Sequence, residues 1–210
     1  MKYPRTYHLP ASPGVSDDDK VLKDISHLMG KMMVYTEKLD GECTSMTNRA
    51  IHARSETSSH HPSQSWVKQL HARIKNDIPE NIQIVGENMY AKHSILYDRL
   101  TTFFYAFAVI DLQRKEFFSF SETIDICFSL DLEYVPLLYV GAFDPQFKPP
   151  EHSSFGDEIE GYVVRTVDSF PIDEFDRNVT KFVRKNHVNT DEHWKEHWLP
   201  NKLKFPMLLL

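Results

Sequence analysis

Thr36-Glu37-Lys38-Leu39-Asp40-Gly41-Glu42 is the stretch whose reading decides the fold. Met32-Met33-Val34-Tyr35 before it is a short apolar run that reads as a strand. Asp40-Gly41 is a turn signal, and Cys43 to Thr47 alternates as a second strand. Lys38 therefore stands where a strand gives way to a tight turn, a rigid mount for one amine. Glu37, Asp40 and Glu42 surround it with acids. A lysine so placed is either the middle of a surface charge cluster or a nucleophile aimed into a pocket, and the rest of the chain must decide.

Toward the N-terminus, residues 1–15 are proline-rich and irregular. Ser16 reads as an N-cap, and Asp17, Asp18 and Asp19 follow where a helix dipole favours acids. Val21, Leu22, Ile25, Leu28 and Met29 recur at helical spacing and Gly30 is a natural stop, so a helix is expected over 16–30. Downstream, strands near 43–47 and 50–54 can pair across Asn48-Arg49, and 55–63 is a polar loop. Trp66, Val67, Leu70 and Ile74 predict a helix from Gln64 to Ile78, closed by Pro79. Strands are expected at 82–85, stopping at Gly86-Glu87-Asn88, and at 103–111, 116–120, 134–140, 159–167 and 179–184. Ser121 reads as the cap of a helix ending near Leu130, and Thr190 as the start of another. Many strands with a few scattered helices make the class α+β, built on antiparallel sheets.

The totals set bounds on function. A chain of 210 residues fits one domain, and 14 Phe, 9 Tyr and 3 Trp supply a sizeable core. No run approaches the roughly 20 apolar residues of a membrane span, and Lys2 and Arg5 stand where a signal peptide would be apolar. Cys43 and Cys127 form no metal or redox spacing. A cytoplasmic protein with buried thiols is expected, without a membrane partner. The net charge of −6 disfavours a wholesale nucleic-acid coat and leaves room for a local basic groove.

Several strand-end polar residues fall in one order. Glu37-Lys38-Leu39-Asp40-Gly41 resembles motif I of the covalent nucleotidyltransferases, the polynucleotide ligases and capping enzymes. Arg54 lies where that family places a strand-end arginine, and Gly86-Glu87-Asn88 resembles its ribose-contacting glutamate. Phe104-Tyr105-Ala106-Phe107 is similar to motif III. Glu160-Gly161-Tyr162-Val163-Val164-Arg165 is similar to motif IV, and Lys181-Phe182-Val183-Arg184 to motif V. The resemblance runs from about residue 30 to 186 and is nearest the ATP-dependent RNA ligases, where Glu-Asn-Met-Tyr-Ala-Lys-His-Ser-Ile (87–95) also fits.

That resemblance implies a nucleotidyltransferase (adenylation) domain in which Lys38 attacks the α-phosphate of ATP and carries AMP as a phosphoramidate. The AMP would pass to an RNA 5′-phosphate, which a 3′-hydroxyl then attacks. Lys38, Glu160 and Lys181 would be catalytic, with Lys181 gripping the α-phosphate and Glu160 holding Mg²⁺ or Mn²⁺. Glu37, Asp40, Arg54, Glu87, Phe107, Lys181 and Arg184 would bind the nucleotide, Phe107 by stacking on adenine. A free lysine is about one part in 2,500 unprotonated at pH 7, so cationic neighbours and a metal ion are expected to lower the Lys38 pKa. The 55–63 loop and the Tyr90–Tyr97 segment, with Lys92 and His93, are the expected RNA contacts.

Departures from the pattern are specific. Ala108 stands where motif III is usually followed by an acid, and Val183 where motif V often has a second lysine, leaving Arg184 or Lys185 to substitute. Residues 187–210 form only a short tail, so no C-terminal OB domain is expected and a protein partner could supply substrate binding. Two other readings compete. His193-Trp194-Lys195-Glu196-His197 has the H-x-x-E-H order of inverted zinc peptidases, with His187 or Asp191 as a third ligand. A non-catalytic module that only holds nucleotide or RNA is the other. Taken singly, Phe107 is an ordinary core residue, Glu87 a turn residue and Lys181 a basic strand edge; only their joint order argues otherwise.

Overall fold

The computed structural model describes residues 1–54, 61–185 and 199–205. Two sheets face each other. The first has the order β1 (Tyr7–His8), β12 (Val179–Val183), β10 (Gly161–Thr166), β2 (Met32–Lys38), β9 (Leu137–Ala142). The second runs β11 (Phe170–Pro171), β7 (Glu116–Phe117), β6 (Phe104–Asp111), β5 (Ile82–Asn88), β3 (Glu42–Met46), β4 (Ile51–Ala53), with β8 (Glu133–Tyr134) added to β6. All pairings are antiparallel except β1 with β12 and β6 with β8. The expected class of antiparallel sheets with a few helices is what the chain adopts.

Helices α1 (Ser65–Ile74) and α2 (Phe120–Ser129) cover the outer face of the second sheet, and α3 (Phe175–Asn178) is a single turn before β12. Val67, Leu70 and Ile74 of α1 and Cys127 of α2 pack on Met46, Ile82, Ile84, Phe104 and Ala106. Alternation puts Ile82 and Ile84 on that face and sends Val85 and Glu87 toward the first sheet. Between the sheets, Val85, Ala108, Ile110, Phe117, Phe170, Phe175 and Val179 form an inner core.

Three expectations are corrected. No helix spans 16–30. Asp18 and Asp19 accept from the Ser16 hydroxyl at 2.9 and 2.7 Å, and Asp19 also takes the Ser16 amide at 3.1 Å. These local side-chain bonds compete with a helical backbone. Leu22 then donates its amide to His8 at 2.8 Å, and only Ser26–Leu28 make a 3-10 turn. Gly30 does stop that turn, at φ 78°. The cap of α2 is Ser119, not Ser121: Ser119 Oγ accepts from the Glu122 amide and Glu122 accepts from the Ser119 amide, a reciprocal box. Finally, the tight turn read at Asp40-Gly41 is a crossing: β2 and β3 belong to different sheets, and Leu39–Gly41 connects them. The expected helix from Thr190 lies outside the described residues.

Candidate functional site

The two sheets enclose a cavity of about 520 Å³. Thr36, Glu37 and Lys38 of β2, Val163 and Arg165 of β10, and Lys181 of β12 line one wall. Cys43, Glu87, Phe107 and Ala108 line the other.

Lys38 ends β2 and stands opposite Gly161 in the register with β10. Glu160, the residue before that strand, is thereby brought beside it: Lys38 Nζ lies 2.6 Å from Glu160 Oε2, with the lysine side chain 24% exposed and the glutamate 6%. Lys181 enters from the next strand, opposite Val163. Glu87 comes from the facing sheet, where its Oε1 accepts from the Gly41 amide at 3.2 Å. A side chain on Gly41 would collide with Asn88 O at 2.6 Å and Met89 Sδ at 2.7 Å, so the crossing needs glycine.

Charge explains the titration of this group. Burial pulls Lys38 down, but Glu160 and Glu87 more than offset it, and its pKa lies above that of an ordinary lysine. That corrects the expectation of cationic neighbours lowering it. Lys181 is held below the usual range by burial and then by Lys38. Burial pushes Glu87 up to about 8 and Glu160 up to about 7, against the opposing pull of Lys38. Both carboxylates are raised chiefly by burial, which Lys38 opposes without cancelling. Their hard oxygens suit a divalent cation such as Mg²⁺. Among the described residues no three His, Cys, Asp or Glu side chains converge on one point, so further ligands would be phosphate oxygens and water.

Phe107 reaches the cavity through a bulge. Gly86 pairs with Ala106 and Val85 with Ala108, so Phe107 is the extra residue of β6, and it and Ala108 both line the cleft. Arg54 stands exposed at the rim, its amide bound to Cys43 O at 2.8 Å. Other expected contacts have carboxylates or guanidinium committed elsewhere. Glu37 lines the cavity, but its carboxylate accepts from the Ser153 hydroxyl and, at 2.9 Å, the Ser154 amide. Asp40 accepts from the amides of Ser94 and Ile95 at 2.7 and 2.9 Å, and its own amide donates to Tyr97 Oη at 3.1 Å, clamping the crossing. Arg184 pairs with Glu158 and does not line the cavity. His187, Asp191, His193, Glu196 and His197 lie outside the described residues.

Sequence reasoning missed the contribution of the first twenty residues. Tyr3, Arg5, Thr6 and Asp19 all line the cavity, and Tyr3 packs edge-on against Phe107 with centroids 5.1 Å apart. The short strand β1 causes this by adding Tyr7 and His8 alongside Thr180 and Lys181. A two-residue strand in a proline-rich segment leaves no periodicity to detect. Arg165 was quoted only as part of a motif. It is a buried guanidinium on the cavity wall, donating to the carbonyls of Thr166 at 3.1 Å and Phe118 at 2.5 Å.

Comparisons with known proteins bear on the fold and the family. A lysine-to-alanine variant of the Naegleria gruberi RNA ligase with ATP and Mn superposes with a TM-score of 0.56 at 17% identity, over 76% of this chain and 52% of that one. The same ligase with PPi gives 0.55 at 16% identity, over 82% and 53%. At such identity the likeness is one of fold, and the chain spans about half the length of those structures. A search of curated proteins by sequence finds no match. The family model described as RNA ligase covers residues 31–183, from the start of β2 to the end of β12; the chain belongs to the RNA ligase family.

Proposed function

We propose that the protein is an ATP-dependent RNA ligase that works through a lysyl–AMP intermediate on Lys38. The observation that carries this reading is the 2.6 Å contact of Lys38 with Glu160, inside a cleft that also holds Glu87 and Lys181. A buried amine among carboxylates, facing a second lysine, is unlike a solvated charge cluster. A cavity of about 520 Å³ is of the size that takes a nucleotide-sized ligand. Family membership and the resemblance of five motifs give the reaction class.

In this reading the Lys38 nitrogen forms a bond to the α-phosphorus while the bond to the β-phosphate oxygen breaks, and pyrophosphate leaves with the electron pair. The ammonium must first lose a proton, and Glu160 is the acceptor in contact. Lys181 offsets charge on the α-phosphate, and Phe107 with Val163 flanks the adenine. Glu87 accepts from the ribose hydroxyls and Arg54 meets phosphate at the rim. A divalent ion held by Glu160 would supply positive charge at the phosphates. An RNA 5′-phosphate oxygen then displaces Lys38 from the AMP phosphorus. A 3′-hydroxyl attacks the 5′-phosphorus, and AMP departs.

Incubation with Mg²⁺ and α-labelled ATP should leave label on the denatured polypeptide, and Lys38→Ala should abolish it. An unlabelled wild-type chain would refute the reading and favour a module that only holds its ligand. Lys92, half-buried and tied through its amide to Leu199 O at 2.7 Å, is the proposed RNA contact. Lys92→Ala should slow sealing of a nicked or single-stranded RNA while leaving self-adenylylation intact; equal losses in both assays would remove that role.

A further inference from the structure

The cleft carries more positive charge than attack by Lys38 requires, and the surplus comes from the segment before β2. Because β1 lies beside β12, Arg5 lines the same cavity as Lys181 and Lys38. Asp19 sits between Arg5 and Lys181. Its Oδ1 is 3.5 Å from Lys181 Nζ and 3.9 Å from Arg5 Nη2, and its Oδ2 is 3.3 Å from His8 Nε2. Asp18 holds the other side of Arg5 at 2.6 Å. His8 is 1% exposed, its Nδ1 lies 2.8 Å from Ser12 Oγ, and its Nε2 makes no well-formed hydrogen bond although it faces the carboxylate.

A carboxylate gathered by a lysine, an arginine and an imidazole has the environment of a phosphate group. Apart from these contacts with Lys181, Arg5 and His8, Asp19 is held by local bonds to Ser16; the attachment to β1 begins only at Lys20, whose carbonyl accepts from the His8 amide at 2.7 Å, so a shift confined to residues 16–19 leaves the strands paired. We propose that Arg5 and Lys181 form a polyphosphate site and that Asp19 is its built-in occupant, displaced when the outer phosphates of a nucleoside triphosphate enter. The inference rests on the nucleotide reading of the cleft. It gives Arg5 and Asp19, both outside the span of the family match, a part in holding and releasing the pyrophosphate beside Lys181.

The test is equilibrium binding by calorimetry of inorganic pyrophosphate, ATP and AMP at fixed Mg²⁺, in a Lys38→Ala background that cannot form the covalent bond. Arg5→Gln should weaken pyrophosphate and ATP by about tenfold and leave AMP within about twofold. Asp19→Asn should tighten pyrophosphate and ATP by roughly threefold or more, because the competitor has lost its charge. Misfolding weakens every ligand, so a gain in the Asp19 variant cannot come from it. Loss of AMP and ATP affinity in parallel in Arg5→Gln, or weaker pyrophosphate binding in Asp19→Asn, would overturn the site. If wild-type Lys38 never takes AMP but pyrophosphate binding still follows Arg5 and Asp19, the ligase reading fails and the site stands. If Lys38 is labelled and neither variant alters pyrophosphate binding, the site fails alone.

Discussion

Glu87 shows how a buried carboxylate weighs on stability. Burial raises it to about 8, with Lys38 opposing and Glu160 and Asp40 adding to the rise, whereas an unfolded glutamate titrates near ~4.3. The native state therefore binds this proton more tightly than the unfolded chain does. Its contribution is most favourable below about pH 4.3 and is lost as pH climbs to about 8. Glu87→Gln removes that dependence. Its melting temperature should match wild type near pH 4.5 and exceed it increasingly toward pH 8.5, as read by thermal denaturation at both values. A difference independent of pH would contradict the assignment. The same neighbours favour the protonated form of Lys38, so in the proposed reaction the local charge must change before the amine can attack.

At the scale of elements, the contact of β10 with β12 fixes where Glu160 stands. Gly161 lies opposite both Lys38 and Val183, and a Cβ there would sit 2.0 Å from the Phe182 carbonyl oxygen. Gly161→Ala has to push β12 away from β10. We expect a loss of about 2 kcal/mol or more in urea denaturation. Adenylylation should slow beyond what the unfolded fraction explains, since Lys181 rides on β12 and Lys38, at the end of β2, stands opposite Gly161 itself. Full labelling rates in the folded variant would show that the strand spacing is not critical. The bulge of β6 works in the same way: one extra residue turns two successive side chains, Phe107 and Ala108, to the cleft.

Across the whole molecule, the site depends on keeping one sheet over the other. The crossing from Lys38 to Gly41 is clamped by segment 94–97 through Asp40, and that segment is stitched to residues 199–205. Asn201 is the knot. Its Oδ1 accepts from the Tyr97 amide at 3.0 Å, and its Nδ2 donates to Met89 O at 2.8 Å and Ala91 O at 3.3 Å. Asn201→Ala leaves these buried backbone groups without partners, at a cost of about 2 kcal/mol or more. Urea denaturation would measure it, and unchanged stability would show that water replaces the side chain.

The order of charged residues at strand ends was legible in the sequence, as were the helices at 65–74 and 120–129 and most strands, because periodicity and turn dipeptides are local signals. Lys38, Glu87, Phe107, Glu160 and Lys181 were named from that order; the fold draws four of them around one cleft and sets Glu160 against Lys38. The aspartates at 17–19 misled for a local reason, since the bonds of Asp18 and Asp19 to Ser16 compete with the helix that the apolar spacing suggested. Glu37, Asp40 and Arg184 were named from the same motifs, yet their side chains hold loops and a surface pair, which no spacing reveals. What only the tertiary structure decided is which sheet each strand joins, and with it the place of Tyr3, Arg5 and Asp19 beside Lys181. Those neighbours are more than 150 residues apart in the chain, and strand pairing at that distance is set by packing between sheets rather than by any nearby residue.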